Sequence, residues 1–130
     1  MGGERVDAEP KRGDWEFLER VAEAWDERSR TSTDTWVPPI MAPLVREARR
    51  STLSRFHPFT SHARLCFSDG PEYWSGRGKK LPVWIGLLPE GCYEVGRLYE
   101  RRDLPGYEVL LETADPVEAV AEAERALSGF

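Results

Sequence analysis

At 130 residues, with 40% hydrophobic, 11% aromatic and 32% charged residues, the chain fits one self-folding domain and excludes an intrinsically disordered polymer. No run approaches the ~20 consecutive apolar residues of a membrane helix and no apolar signal core follows the N-terminal charges, so a cytoplasmic protein with no membrane partner is expected. The net charge of −5 hides a segregation: residues 46–80 hold eight Arg or Lys against three Asp or Glu, a local +5, while the remainder totals −10.

Residues 1–13, rich in glycine and charge, read as a flexible leader, which leaves 14–130 as a single α+β domain. From Asp14, a helix N-cap type, Trp15, Leu18, Val21, Ala22 and Trp25 recur at helical spacing, and Glu16, Arg20, Glu23 and Glu27 fall on the wet side. This predicts an amphipathic helix to about Arg30. After the polar break Thr31–Thr35 and the pair Pro38-Pro39, Pro43 suits the first turn of a second helix. That helix turns Leu44, Val45 and Ala48 inward and Arg46, Glu47, Arg49 and Arg50 outward, and ends near Thr52.

The period then changes from helical to alternating. Leu65 and Phe67 alternate with Arg64, Cys66 and Ser68 in a first strand that Asp69-Gly70-Pro71 stops. Residues 70–80 read as a loop. A second strand spans Pro82 to Leu87, and after the turn Pro89-Glu90-Gly91 a third spans Cys92 to Tyr99. A turn at 101–106 leads to a fourth, in which Tyr107, Val109 and Leu111 are expected to share a face. Short connections make four antiparallel strands in a meander the simplest topology. Asp115 as N-cap, Pro116 at the first helical position and Glu118 three residues on mark a C-terminal helix that stops at Gly129, with Val117, Val120, Ala121 and Leu127 expected on the sheet.

Both histidines, His57 and His62, fall in one block, Arg55-Phe56-His57-Pro58-Phe59-Thr60-Ser61-His62, at an expected loop-to-strand junction. Imidazole suits acid–base work, but residues five apart in an extended segment lie up to ~17 Å apart, and Ser61 lacks the glycine elbow of a nucleophile. A structural junction, anchored by Phe56 and Phe59, is the simpler reading. Trp15, Trp25, Trp36 and Trp84 fit packing positions. Trp74 instead sits with Tyr73 in the glycine-rich loop beside Arg77, Lys79 and Lys80, where flat apolar area and charge-assisted bonds together suit recognition of an anionic partner. That loop lacks phosphate-loop spacing. Cys66 and Cys92 have neither CxxC spacing nor a zinc-type histidine pattern, so no metal and no cofactor is expected. Glu108, Glu112, Glu118, Glu122 and Glu124 read as solvated faces. An acidic chain with pI near 5.1 and no binding motif gives no nucleic-acid reading.

Pro43-Leu44-Val45, the block Arg55–His62, Leu65-Cys66-Phe67-Ser68, Tyr93-Glu94-Val95 and Asp115-Pro116-Val117-Glu118-Ala119-Val120 together resemble a family of small actinobacterial proteins of uncharacterised function. Members are usually labelled natural-product biosynthesis proteins because their genes lie among such clusters. The resemblance spans roughly residues 36–127, is most specific at Pro58-Phe59-Thr60-Ser61-His62, and implies genomic company but no catalytic residue. The resulting expectation is a non-catalytic accessory protein that binds a partner protein or small acidic metabolite through Arg55, His62, Arg64, Tyr73, Trp74, Arg77, Lys79 and Lys80. A second class is a small tailoring enzyme with His62 as general base, Arg55 as anion holder and Tyr73 as a polar pocket residue. A third is an immunity or self-resistance protein.

Overall fold

A computed structural model describes residues 14–32, 37–71, 76–99 and 106–130. The expected leader at 1–13, Trp36, the Tyr73–Trp74 pair and the turn at 101–105 lie outside the described residues. Helices α1 (Trp15–Thr31) and α2 (Met41–Arg50) lead through a 3-10 turn (Thr52–Arg55) into five strands: β1 (His57–Ser61), β2 (Arg64–Ser68), β3 (Lys80–Leu87), β4 (Tyr93–Tyr99) and β5 (Gly106–Thr113). Helix α3 (Pro116–Ala126) follows. The strands pair antiparallel in chain order, β1-β2-β3-β4-β5.

The α+β meander is the expected one, with one strand more than the four expected. The added strand is β1, the stretch read as a junction. Pro58 disguises it, and is tolerated because β1 is an edge strand, where a missing N–H costs no ladder bond on the solvent side. A two-residue turn, His62-Ala63, joins β1 to β2 with φ of 51° and 59°. Both values lie in the left-handed region that this tight hairpin demands and that asparagine–glycine normally fills. The Ala63 carbonyl accepts a 2.9 Å hydrogen bond from the Leu87 N–H of β3, which holds the turn against the sheet.

One face of the sheet carries the main core. Leu65 and Phe67 of β2, Leu81, Val83, Ile85 and Leu87 of β3, and Tyr93 and Val95 of β4 are buried beneath the three helices. Helix α3 contributes Ala119, Val120, Ala123 and then Leu127, a stripe at i, i+4, i+8. The expected inward face is therefore rotated, and Val117 (53% exposed) and Ala121 look to solvent. The Asp115 carboxylate does cap the helix, accepting from the Val117 N–H at 2.9 Å. Glu118 does not return to the Asp115 N–H. Thr113 stands between them, its hydroxyl accepting from the Asp115 N–H and donating to Glu118.

In β5, Val109 pairs with Gly96 and Leu111 with Val95, so two steps on one strand match one step on the other. This bulge at Leu110 splits the expected set: Tyr107 and Val109 stay on the helix-free face, and Leu111 turns to the core. On the helix-free face Phe59, Cys66 and Trp84 form a second cluster. Trp84 lies flat on Gly96, where a Cβ would come within 2.3 Å of the indole, so only glycine admits this stacking. Tyr107 meets Trp84 edge-on at 5.4 Å.

The two layers are tied at the start of α2. Asp26 of α1, 3% exposed, accepts hydrogen bonds from the Met41 and Ala42 N–H groups at 3.0 and 2.8 Å. Ile40, at the N-cap position, has no side chain able to cap, and the first turn of α2 has no acidic residue, so the carboxylate supplies both functions from another helix. The Tyr93 hydroxyl of β4 donates to the Ile40 carbonyl at 2.6 Å. Burial first, and the carboxylates of Asp26 and Asp115 second, push the Tyr93 hydroxyl above its ordinary value.

Two outcomes are expected. Asp26→Ala removes two charge-assisted bonds and strands two buried N–H groups, a loss of about 3 kcal/mol in denaturant unfolding; a loss below about 1 kcal/mol contradicts the capping role. Because the folded state holds the Tyr93 proton more tightly than the unfolded state, its contribution is complete below pH 10 and falls as pH rises above it, by up to about 1.4 kcal/mol per unit. Tyr93→Phe should flatten that alkaline limb in unfolding curves measured on both sides of pH 10.

Candidate anion-binding site

The expected basic loop is closed at its neck by backbone contact. Gly70 and Gly78 cross so tightly that a Cβ on Gly78 would lie 2.5 Å from the Gly70 carbonyl oxygen, and one on Gly70 would lie 2.4 Å from that of Arg77. Around this crossing the Asp69 N–H donates to the Lys79 carbonyl at 3.0 Å, and the Lys79 N–H returns to the Asp69 carboxylate at 2.6 Å. Ser68, buried, donates its hydroxyl to the Gly70 carbonyl. The neck fixes where Lys79 and Lys80 leave the sheet.

Across β3 stands β4, with Val83 opposite Arg97, so Arg97, Leu98 and Tyr99 project from the same end of the sheet. Together with Asp69, Leu81, Pro82 and Phe130 they enclose an open cleft of about 870 Å³ beside Lys79 and Lys80. Lys79, Lys80 and Arg97 have no side-chain partner among the described residues. Glu108 is opposite Arg97 in register, yet no ion pair joins them. Asp69, the one acidic side chain on the rim among the described residues, already accepts the Lys79 N–H.

The rest of the basic stretch is largely spent within the fold. Arg46 pairs with Glu23 at 2.8 Å, Arg49 with Glu19 at 3.1 Å and Arg50 with Glu47 at 4.0 Å, so α2 is largely neutralised, chiefly by α1. Arg64 lies over the Trp84 ring at 4.6 Å, on the helix-free face. Arg77 is exposed at the loop neck and contributes no atom to the cleft wall.

Arg55, expected to hold an anion, is engaged within the fold. Its guanidinium donates to the Phe130 and Leu127 carbonyls at 2.7 and 3.0 Å, packs over Phe56 at 4.2 Å, and so fixes the segment after α3 that brings Phe130 to the cleft. His62 lies at the other end of the β1–β2 hairpin. It lines a separate cleft of about 570 Å³ with Val21, Trp25, Met41, Thr60, Ser61 and Ala63. The structure thus brings Lys79 and Lys80 together, adds Arg97, and leaves His62, Arg55 and Arg64 in three other places; Tyr73 and Trp74 fall outside the described residues. Arg97 escapes sequence reasoning because it sits outside the basic stretch, and only strand pairing carries it to Lys80. Its one sequence signal is a lone cation in a strand end between Gly96 and Leu98.

Burial raises the Cys66 thiol above its ordinary value, an effect that the charges of Lys80 and Arg64 only partly oppose. Among the described residues no group of three or more His, Cys, Asp or Glu could hold a metal ion, and no helix is long and apolar enough to cross a membrane. Comparison with protein-family models, curated proteins and solved structures gives no match.

Cys66 is 2% exposed and Cys92 is partly open, so a thiol reagent at neutral pH should modify Cys92 and spare Cys66 until the chain unfolds. Peptide mapping after alkylation checks this; modification of both at similar rates in the folded state contradicts it.

Proposed function

We propose that this chain is a non-catalytic accessory protein of natural-product biosynthesis, whose task is to bind a small acidic molecule in the cleft of Lys79, Lys80 and Arg97. The observation that carries the reading is the contrast in charge pairing. Arg20, Arg30, Arg46, Arg49, Arg50 and Arg125 each meet a glutamate, whereas the three cations of the cleft meet none among the described residues. Three unpaired positive charges around one concavity attract an anion, and exposed to solvent they do so in a salt-dependent manner. A concave site favours a small molecule over a flat protein surface, and its volume falls in the usual range for such sites. The biosynthetic setting rests on the family resemblance, and a cytoplasmic location is supported by two free thiols.

The tailoring-enzyme reading needs His62 and Arg55 in one pocket. Arg55 is engaged by two carbonyls at the end of α3 and His62 lines a different cleft, so the described residues favour the binding reading.

Titration calorimetry of the full chain against a panel of carboxylic acids and inorganic diphosphate tests the proposal. The double change Lys79→Glu/Lys80→Glu, and separately Arg97→Glu, should each weaken the best ligand about tenfold or more, with little change in thermal midpoint because all three side chains are exposed. Raising salt from about 0.05 to about 0.5 M should weaken it further. Binding that ignores all three charges sinks the reading.

A further inference from the structure

The cleft that carries the three cations is also where exposed apolar side chains gather. Seven large hydrophobic residues are exposed among the described ones, and three of them, Leu98 (42%), Tyr99 (41%) and Phe130 (53%), line this one cleft. Leu81 and Pro82 continue the apolar wall between them. Isolated exposed hydrophobics need no explanation, but a contiguous set rimmed by charge marks a binding surface. Phe130 is moreover held in place, because Arg55 spends its guanidinium on the Phe130 and Leu127 carbonyls.

Resting on the anion-binding reading above, we propose that the ligand is an amphipathic monoacid: one carboxylate on an apolar body, of the medium-chain or aryl type. A polyphosphate or sugar phosphate would leave the apolar wall facing water and bring its many charges close to Asp69, whose carboxylate is fixed on the rim by the Lys79 N–H. A single carboxylate satisfies Lys79, Lys80 and Arg97 while its apolar part covers Leu98, Tyr99 and Phe130. The division of labour follows. The cations give attraction and orientation, and the apolar wall gives discrimination between acids of different body.

Three probes separate the components: decanoate, with both charge and chain; decanol, with chain alone; and inorganic diphosphate, with charge alone. All are titrated into the full chain below the micellar range of the amphiphiles. Decanoate should bind at least about tenfold more tightly than either of the others. Leu98→Ser and Phe130→Ala, both at exposed positions, should each weaken decanoate severalfold and leave diphosphate unchanged, with circular dichroism confirming the fold. Diphosphate binding as tightly as decanoate would overturn this inference and leave the anion-binding reading standing. Decanol matching decanoate, or no binding of any acid, would overturn both.

Discussion

The Asp26 carboxylate at the N-terminus of α2 is the contact on which the arrangement of the domain depends. A carboxylate 3% exposed is expensive to desolvate, and it is tolerated here because two backbone N–H groups and the positive end of the helix dipole receive it. The converse matters as much. Helix α2 begins Ile40-Met41-Ala42-Pro43, with no capping side chain of its own, so its first turn is completed only when α1 lies across it. The helix pair is therefore fixed in one relative position, and Tyr93 carries that position to β4 through the Ile40 carbonyl. Three elements from distant parts of the sequence meet within residues 40–42.

That geometry decides which charges remain without an ion-pair partner among the described residues. Once α1 and α2 are locked side by side, Glu19 and Glu23 stand opposite Arg49 and Arg46, and most of the basic excess of α2 disappears into exposed ion pairs. Such pairs contribute little stability, on the order of 0–1 kcal/mol each. Their larger effect is on the electrostatic map. They leave the open end of the sheet, where Lys79, Lys80 and Arg97 project, as a local concentration of positive charge unpaired among the described residues, on a chain of net charge −5.

Helices and the later strands were legible because each carries one period cleanly. Leu18, Ala22 and Trp25 mark α1, and Leu65 and Phe67 mark β2. The departures from simple periodicity have separate physical origins. Strand β1 was hidden by Pro58, a residue that argues against a central strand but not against an edge. Alternation puts Leu111 with Tyr107 and Val109 because it assumes one residue per step, and the bulge at Leu110 breaks that count. Val117 looked like a core residue in a short apolar run, yet Ala119, Val120 and Ala123 pack closer, since small residues let α3 approach the sheet. Asp26 had a readable signal: it lies four residues after Ala22 and eight after Leu18, which puts a carboxylate on the buried face. Arg97 had almost none, because its role depends on the pairing of β3 with β4.

The histidine block is the clearest case of chemistry-bearing residues used for geometry. His57 opens β1 and His62 lies in the turn just past its end; the four strand steps from His57 to Ser61 alone span about 13 Å, so the two imidazoles are not placed to share a proton. His62 occupies the first left-handed position of a hairpin turn, a conformation that histidine enters more readily than β-branched residues, and Ala63 takes the second at a cost of about 1–2 kcal/mol. Nothing in the turn itself compensates for this. The compensation comes from outside it, in the Leu87-to-Ala63 hydrogen bond and in the register of Ser61 with Arg64, which together leave the two residues no other path between the strands. The β2–β3 register then sets Arg64 over Trp84 and the β3–β4 register seats Trp84 on Gly96, so the strained turn at one end of the hairpin and the stacked indole at the centre of the sheet are linked through the successive alignments of β1 to β4.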